Sequence, residues 1–152
     1  MARPTEYRFE RPGEEGEVRD VVAAAFGDAE GVERIVDDLR TSDAWVGLSF
    51  VAEYEGRLVG HVSFTRSLLD TPNRLVDVLV LSPLSVLPAR QERGIGSALV
   101  RYALRELDER PEPLVFLEGS PAYYSRFGFV TANDLGFRRP SRRIPLAAFQ
   151  VL

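Results

Sequence analysis

The chain has 152 residues, 45% of them apolar, and a formal charge of −4; this length buries a core of its own, and the acidic balance argues against a nucleic-acid binder. It contains no cysteine and one histidine, which excludes disulfides, a thiol nucleophile and histidine-rich zinc sites, so any nucleophile belongs to the substrate. Met1 to Phe9 holds no apolar run of the signal-peptide kind and no segment approaches membrane-spanning length, so a cytoplasmic protein with no membrane partner is expected.

In chain order, Tyr7 to Pro12 reads as a short first strand ending at proline. Val18, Val21, Val22, Ala25 and Phe26 then recur at helical spacing from Glu14 to Phe26, and Gly27-Asp28 breaks the pattern. A second helix is predicted from about Glu30 to Arg40, with Val32, Ile35, Val36 and Leu39 inward. Leu48–Tyr54 and Arg57–Thr65, joined at Glu55-Gly56, form a hairpin signal, and His61 inside the second strand reads as a packed, hydrogen-bonded side chain. Asp70 to Asn73 turns the chain into Leu75–Leu81, whose near-continuous apolar run predicts a strand covered on both faces. Pro83 cannot donate to a ladder, so the sheet should open locally there.

The next segment, Leu81 to Gly96, reads as strand end, turn and helix start. Gly96, Leu99, Val100, Ala103 and Leu107 form one apolar face, with Arg101, Arg105, Asp108 and Glu109 opposite. Gly94 and Gly96 permit either close approach of the backbone to a phosphate at the helix N-terminus or merely a sharp turn and close packing. A dinucleotide fingerprint is excluded by Leu99, and a P-loop by the absence of lysine. Arg90, Arg93 and Arg101 cluster around this turn. After a break at Arg110–Pro113 come a buried strand, Leu114–Glu118, and a short helix begun by Pro121 and ended by Gly128. The basic loop Arg138–Arg143 and a last strand within Ile144–Leu152 close the chain, and no repeat or linker interrupts it, so residues 1–152 are expected to be one domain.

Two stretches carry a resemblance. Gln91, Gly94 and Gly96, preceded by Val86-x-Pro88, fall on the pattern Q/R-x-x-G-x-G/A, and Tyr124, Gly128 and Phe129 fall on Y-x-x-x-G-F. Together they resemble the acyl-CoA and closing motifs of the GNAT superfamily of N-acetyltransferases, most of all its YhbS-like branch, through Gly119–Phe129 and Val59–Phe64. That branch commonly has an acid where Ser120 stands, whereas here Glu118 lies nearby.

The resemblance implies an α+β fold: a mostly antiparallel, twisted sheet of about six or seven strands flanked by about four helices and splayed at an acyl-CoA slot. It implies acetyl-CoA as acyl donor, its pyrophosphate on the amides of Gln91, Glu92, Arg93, Gly94, Ile95, Gly96 and Ser97, and its pantetheine arm beside the backbone of Leu84, Ser85 and Val86. An amine of a small molecule or protein would attack directly in a ternary complex, with Tyr124 protonating the departing thiolate or else packing only as a ring. Glu118 is the first candidate for general base, with Asp77 and His61 behind it; its other reading is a cap on the following turn. Phe26, Asp28 and Trp45 are candidates for acceptor contact, with core packing the first reading of Phe26 and a staple between helix and sheet an equal one of Trp45. A homodimer is compatible with the sequence, and the alternative function is a non-catalytic acyl-CoA sensor.

Overall fold

In the computed structural model, which describes residues 4–27 and 31–152, strands and helices follow the order β1 (Glu6–Phe9), α1 (Glu15–Phe26), α2 (Val32–Arg40), β2 (Trp45–Tyr54), β3 (Arg57–Asp70), β4 (Leu75–Leu81), β5 (Ser85–Val86), α3 (Ile95–Glu106), β6 (Val115–Glu118), α4 (Pro121–Tyr124), β7 (Val130–Thr131) and β8 (Phe149–Val151). The chain divides into two compact units, Met1–Thr65 with Ser82–Glu109, and Arg66–Leu81 with Arg110–Leu152. Strand β3 contributes to both, running five residues past the predicted end at Thr65.

In the first unit β1, β2 and β3 pair antiparallel, with Tyr7 opposite Ala52 and Val51 opposite His61. The β2–β3 hairpin closes at Glu55 and Gly56, whose φ angles of 50° and 79° are the left-handed pair that a two-residue hairpin loop requires. Strand alternation gives the sheet two buried faces. Val51 and Leu58 pack with Val18, Val21 and Val22 of α1 and Val36 of α2, whereas Phe50 turns the other way and meets Tyr102 of α3 edge-on at 6.1 Å. Leu99 of α3 is fully buried, and truncating it to alanine costs about 3 kcal/mol by loss of transfer energy plus a cavity. Helix α3 lies close because Gly60 leaves room: a Cβ there would stand 3.3 Å from Ala52 Cβ and 3.5 Å from Leu99 Cδ2. The α2 stripe is narrower than its periodicity predicts, since Val36 is buried but Ile35 is 52% exposed.

In the second unit the end of β3 lies beside β4, followed by β6, β8 and β7. β4 and β6 run parallel, and β8 is antiparallel to both β6 and β7. Phe116 stacks on Phe149 at 5.5 Å and meets Phe137 edge-on at 5.1 Å, forming a core with Val78, Ala132 and Val151. The Leu75–Leu81 run is not covered on both faces throughout: Leu75 is 59% exposed and Asp77 is exposed, and burial sets in at Val78. At the C-terminal end only Phe149–Val151 is strand, because Pro145 begins a tight turn over Leu146–Ala148. The short β7 carries no alternation long enough to read in advance.

Strand β4 stops at Leu81, as the missing N–H of Pro83 requires. Beyond it the chain holds to β3 in the first unit: Ser82 N donates to Ser63 O at 2.7 Å, β5 pairs His61 with Ser85 and Gly60 with Val86, and Leu87 N donates to Val59 O at 2.9 Å. Among the described residues no helix is long and apolar enough to cross a membrane.

Candidate functional site

The first unit builds an anion site from backbone. Gly94, at φ 81°, is the residue before α3, and no side chain caps the helix. The first bond into the helix is Ala98 N to Gly94 O at 3.0 Å, so the N–H groups of Ile95 and Gly96 lack an intrahelical acceptor and point out of the helix end. Glu92 is also left-handed, at φ 63°, a conformation a non-glycine residue adopts only when its surroundings impose it. That feature has no sequence signal. Gln91 Nε2 donates to Val86 O at 3.0 Å, which ties the turn to β5 and engages one of the carbonyls considered for pantetheine pairing. Of the arginines grouped here by sequence, Arg90 lies over the Tyr54 ring at 4.3 Å.

A second polar group lies under α1 and α2. Arg40 holds both oxygens of Glu10 at 2.6 and 2.7 Å, Ser49 Oγ donates to Glu10 Oε1 at 2.7 Å, and Ser49 Oγ lies 2.8 Å from His61 Nε2. His61 is fully buried, and burial first, then the charge of Arg40, lowers its pKa to about 3, so it is neutral at pH 7. A cavity of about 210 Å³ lined by Glu10, Arg40, Trp45 and Ser49 borders this group. Trp45 sits beneath the Arg40 guanidinium at 4.8 Å. Phe26 packs against the α1–β2 core, in its packing role, and Asp28 lies outside the described residues. The Glu10–Ser49–His61 connection joins residues far apart in sequence and has no local signature.

The second unit carries side-chain candidates. Glu118 ends β6 and is exposed, and among the described residues its carboxylate makes no hydrogen bond or ion pair. The cap on the next helix belongs to Ser120, whose Oγ accepts from Tyr123 N at 3.4 Å, so capping does not occupy Glu118. Tyr124, at the end of α4, is half-buried among Tyr123, Phe127 and Phe129, with ring centroids at 5.0, 6.1 and 6.0 Å. Burial, with a smaller contribution from Tyr123, pushes its phenol up to about 12, so it keeps its proton at neutral pH. Gly119 seats the ring: a Cβ there would lie 2.6 Å from Tyr124 Cε2. The Gly119 backbone is pinned, its N–H donating to Ala148 O and its carbonyl accepting from Gln150 Nε2, both at 3.0 Å.

Residues 6–132 match the family described as Acetyltransferase (GNAT) domain. The chain is 34% identical over 125 residues to the uncharacterized N-acetyltransferase YjhQ of Escherichia coli K12, covering 82% of this chain and 69% of that protein. A GNAT family acetyltransferase from Brucella melitensis, solved in complex with acetyl-CoA, is 34% identical with a TM-score of 0.78 over 98% of this chain and 87% of that one. YhbS of Escherichia coli, solved in complex with CoA, is 28% identical with a TM-score of 0.84 over 99% of this chain and 83% of that one.

Proposed function

The chain belongs to the GNAT acetyltransferase family, and from that premise we propose that it moves the acetyl group of acetyl-CoA to a primary amine by direct attack in a ternary complex. Acetyl-CoA is its cosubstrate and supplies an activated acyl group. The observation that carries the reading is the uncapped N-terminus of α3 behind left-handed Gly94, a backbone cradle with the positive end of a helix dipole, suited to a pyrophosphate. In this reading the amides from Gln91 to Ser97 bind that pyrophosphate, Leu84, Ser85 and Val86 lie along the pantetheine arm, and a backbone N–H of that segment stabilises the oxyanion.

Glu118 takes the proton of the arriving ammonium, for which its exposed carboxylate is suited. Tyr124 gives its proton to the departing thiolate, consistent with a phenol that burial keeps neutral. Residues 1–152 act together as one cytoplasmic acetyltransferase domain, and the acceptor is an amine on a small molecule or a protein. The test is free-thiol release from acetyl-CoA with a panel of amino acids, polyamines, aminoglycosides and peptide α-amines. Turnover with one class of amine is expected; binding of acetyl-CoA with no turnover on any amine would leave an acyl-CoA sensor instead.

A further inference from the structure

An amine that arrives as an ammonium ion must lose two protons to become an amide, one before attack and one after it; Glu118 takes the first, and Tyr124 is able to take the second only after it has given its own proton to the thiolate. The buried polar group of the first unit supplies another acceptor. Ser49 has one hydroxyl proton, and it goes to Glu10 Oε1, which Arg40 also holds. Ser49 therefore accepts from His61 Nε2–H at 2.8 Å, an assignment made from the network, and the lone pair of neutral His61 is left on Nδ1.

A second, independent observation shows what that lone pair serves. Among the described residues His61 Nδ1, Ser63 Oγ and Ser85 Oγ have no hydrogen-bond partner, and all three residues are at most 1% exposed. They share one face of the sheet: Ser63 lies two residues beyond His61 on β3, and Ser85 is His61's ladder partner on β5. Buried polar atoms are rarely left unsatisfied, and three on one face provide the two to four partners that a buried water needs.

We propose that His61, Ser49 and Glu10, held by Arg40, are the acceptor of the second amine proton, reached through a water bound by His61 Nδ1, Ser63 and Ser85. This rests on the acyl-transfer reading, in which Leu84–Val86 lies beside the reacting carbonyl. The amine N–H bond breaks as that water takes the proton and gives one of its own to Nδ1. Nε2 passes its proton to Ser49 Oγ, whose former proton moves to Glu10 Oε1, so positive charge need not rest on the imidazole. Burial, the largest cause that holds His61 neutral, disfavours a stored imidazolium and so favours the concerted route. When the amide has left, the two protons taken from the amine are given up again: one restores the Tyr124 phenol and the other, the net proton of the reaction, goes to solvent. The charged groups on this face are Arg40 of α2, Glu10 beyond β1, Glu17 of α1, which accepts from Leu58 N at 2.9 Å, and Arg8 of β1, in the same cross-strand row as Val51 and His61 and paired with Glu14 and Glu53.

The chain's one histidine makes the test unambiguous. Two-bond ¹H–¹⁵N spectra of the full chain should show His61 neutral and in the Nε2–H tautomer from about pH 5 to 8. With acetyl-CoA and the panel amine of highest turnover, Ser49→Ala should lower kcat by about a hundredfold at unchanged acetyl-CoA affinity, and Ser49→Thr should restore most of it. Raising the pH, which neutralises the amine in solution, should rescue Glu118→Gln but not Ser49→Ala. An Nδ1–H tautomer, a Ser49→Ala rate within about twofold of wild type, or no recovery in Ser49→Thr would overturn the relay alone. Wild-type protein that binds acetyl-CoA yet acetylates no amine would overturn the acyl-transfer reading and the relay with it.

Discussion

In the reading proposed above, the first unit binds acetyl-CoA with backbone, and the second offers side chains, Tyr124 among aromatic rings and Glu118 exposed at a strand end. The α3 turn depends on Gly94 holding φ 81° and on amides that every residue possesses, whereas the candidate chemistry of the second unit depends on one hydroxyl, of Tyr124, and one carboxylate, of Glu118. A backbone site is destroyed by adding atoms and a side-chain site by removing them. The two kinds of variant should therefore separate binding from turnover.

The largest effect is expected from addition at the turn. Acetyl-CoA at about a hundred times its dissociation constant stabilises the fold by ~2.7 kcal/mol, which for a chain of this length raises the melting temperature by roughly 5–10 °C. Gly96→Glu should remove that shift entirely, because it puts a negative charge at the helix N-terminus where phosphate would lie. A retained shift would mean that binding does not use the α3 amides. Next is removal in the second unit: Tyr124→Phe keeps the ring and deletes the hydroxyl, so turnover should fall about a hundredfold with the acetyl-CoA-induced shift intact. Near-normal turnover would return Tyr124 to a packing role.

Gly119→Ala sharpens the comparison, because it is an addition that should act like a removal. The new Cβ would stand 2.6 Å from the Tyr124 ring, and the backbone cannot retreat from its bonds to Ala148 and Gln150, so the ring must move. Turnover should fall by roughly tenfold, and the phenol, less buried, should titrate below its raised value of about 12 in an ultraviolet pH titration. An unchanged titration would show that Gly119 does not set the ring. Glu118→Gln should cost less than Tyr124→Phe, since raising the pH supplies the neutral amine without it, and its loss should be confined to the acid side of the pH–rate profile. A loss equal at all pH values would point to a structural role.

What the sequence made legible follows the same division. The α3 turn was readable because glycine spacing, helix periodicity and the absence of lysine are local facts, and the Tyr124–Gly128–Phe129 spacing was readable for the same reason. The Glu10–Ser49–His61 chain was not, because it joins the residue after β1 to β2 and β3 across 51 positions and appears only once the register sets Val51 opposite His61. Glu118 was ambiguous between base and cap until Ser120 proved to hold the cap. The exposure of Ile35 and Leu75 escaped periodicity, since an apolar residue on the expected face is buried only if a neighbouring element reaches it. The length of β3 was missed because Arg66 and Ser67 end the apolar run well before the strand ends.

The smallest expected effect lies in the first unit's ion pairs, and it sets the acid limit of that unit. Arg8 donates to both oxygens of Glu14 at 2.8 Å and to Glu53 at 2.9 Å, with Arg8 and Glu14 side chains 10% and 18% exposed. The hydrogen bond from Arg8 is the largest cause holding Glu14 at about 2, against 4.5 for the free carboxyl. Because the folded-state value is the lower one, the unfolded chain binds the proton first as pH falls. The contribution is therefore fully present above about 4.5 and is lost progressively toward about 2. Discounted for its remaining solvent contact, it is on the order of 1 kcal/mol. Glu14→Gln should lower stability by that amount at pH 7 and by almost nothing at pH 2, so that the two proteins' denaturation midpoints, measured in urea, converge on acidification. Parallel curves across that range would show that the Arg8–Glu14 pair does not carry the acid sensitivity of this unit.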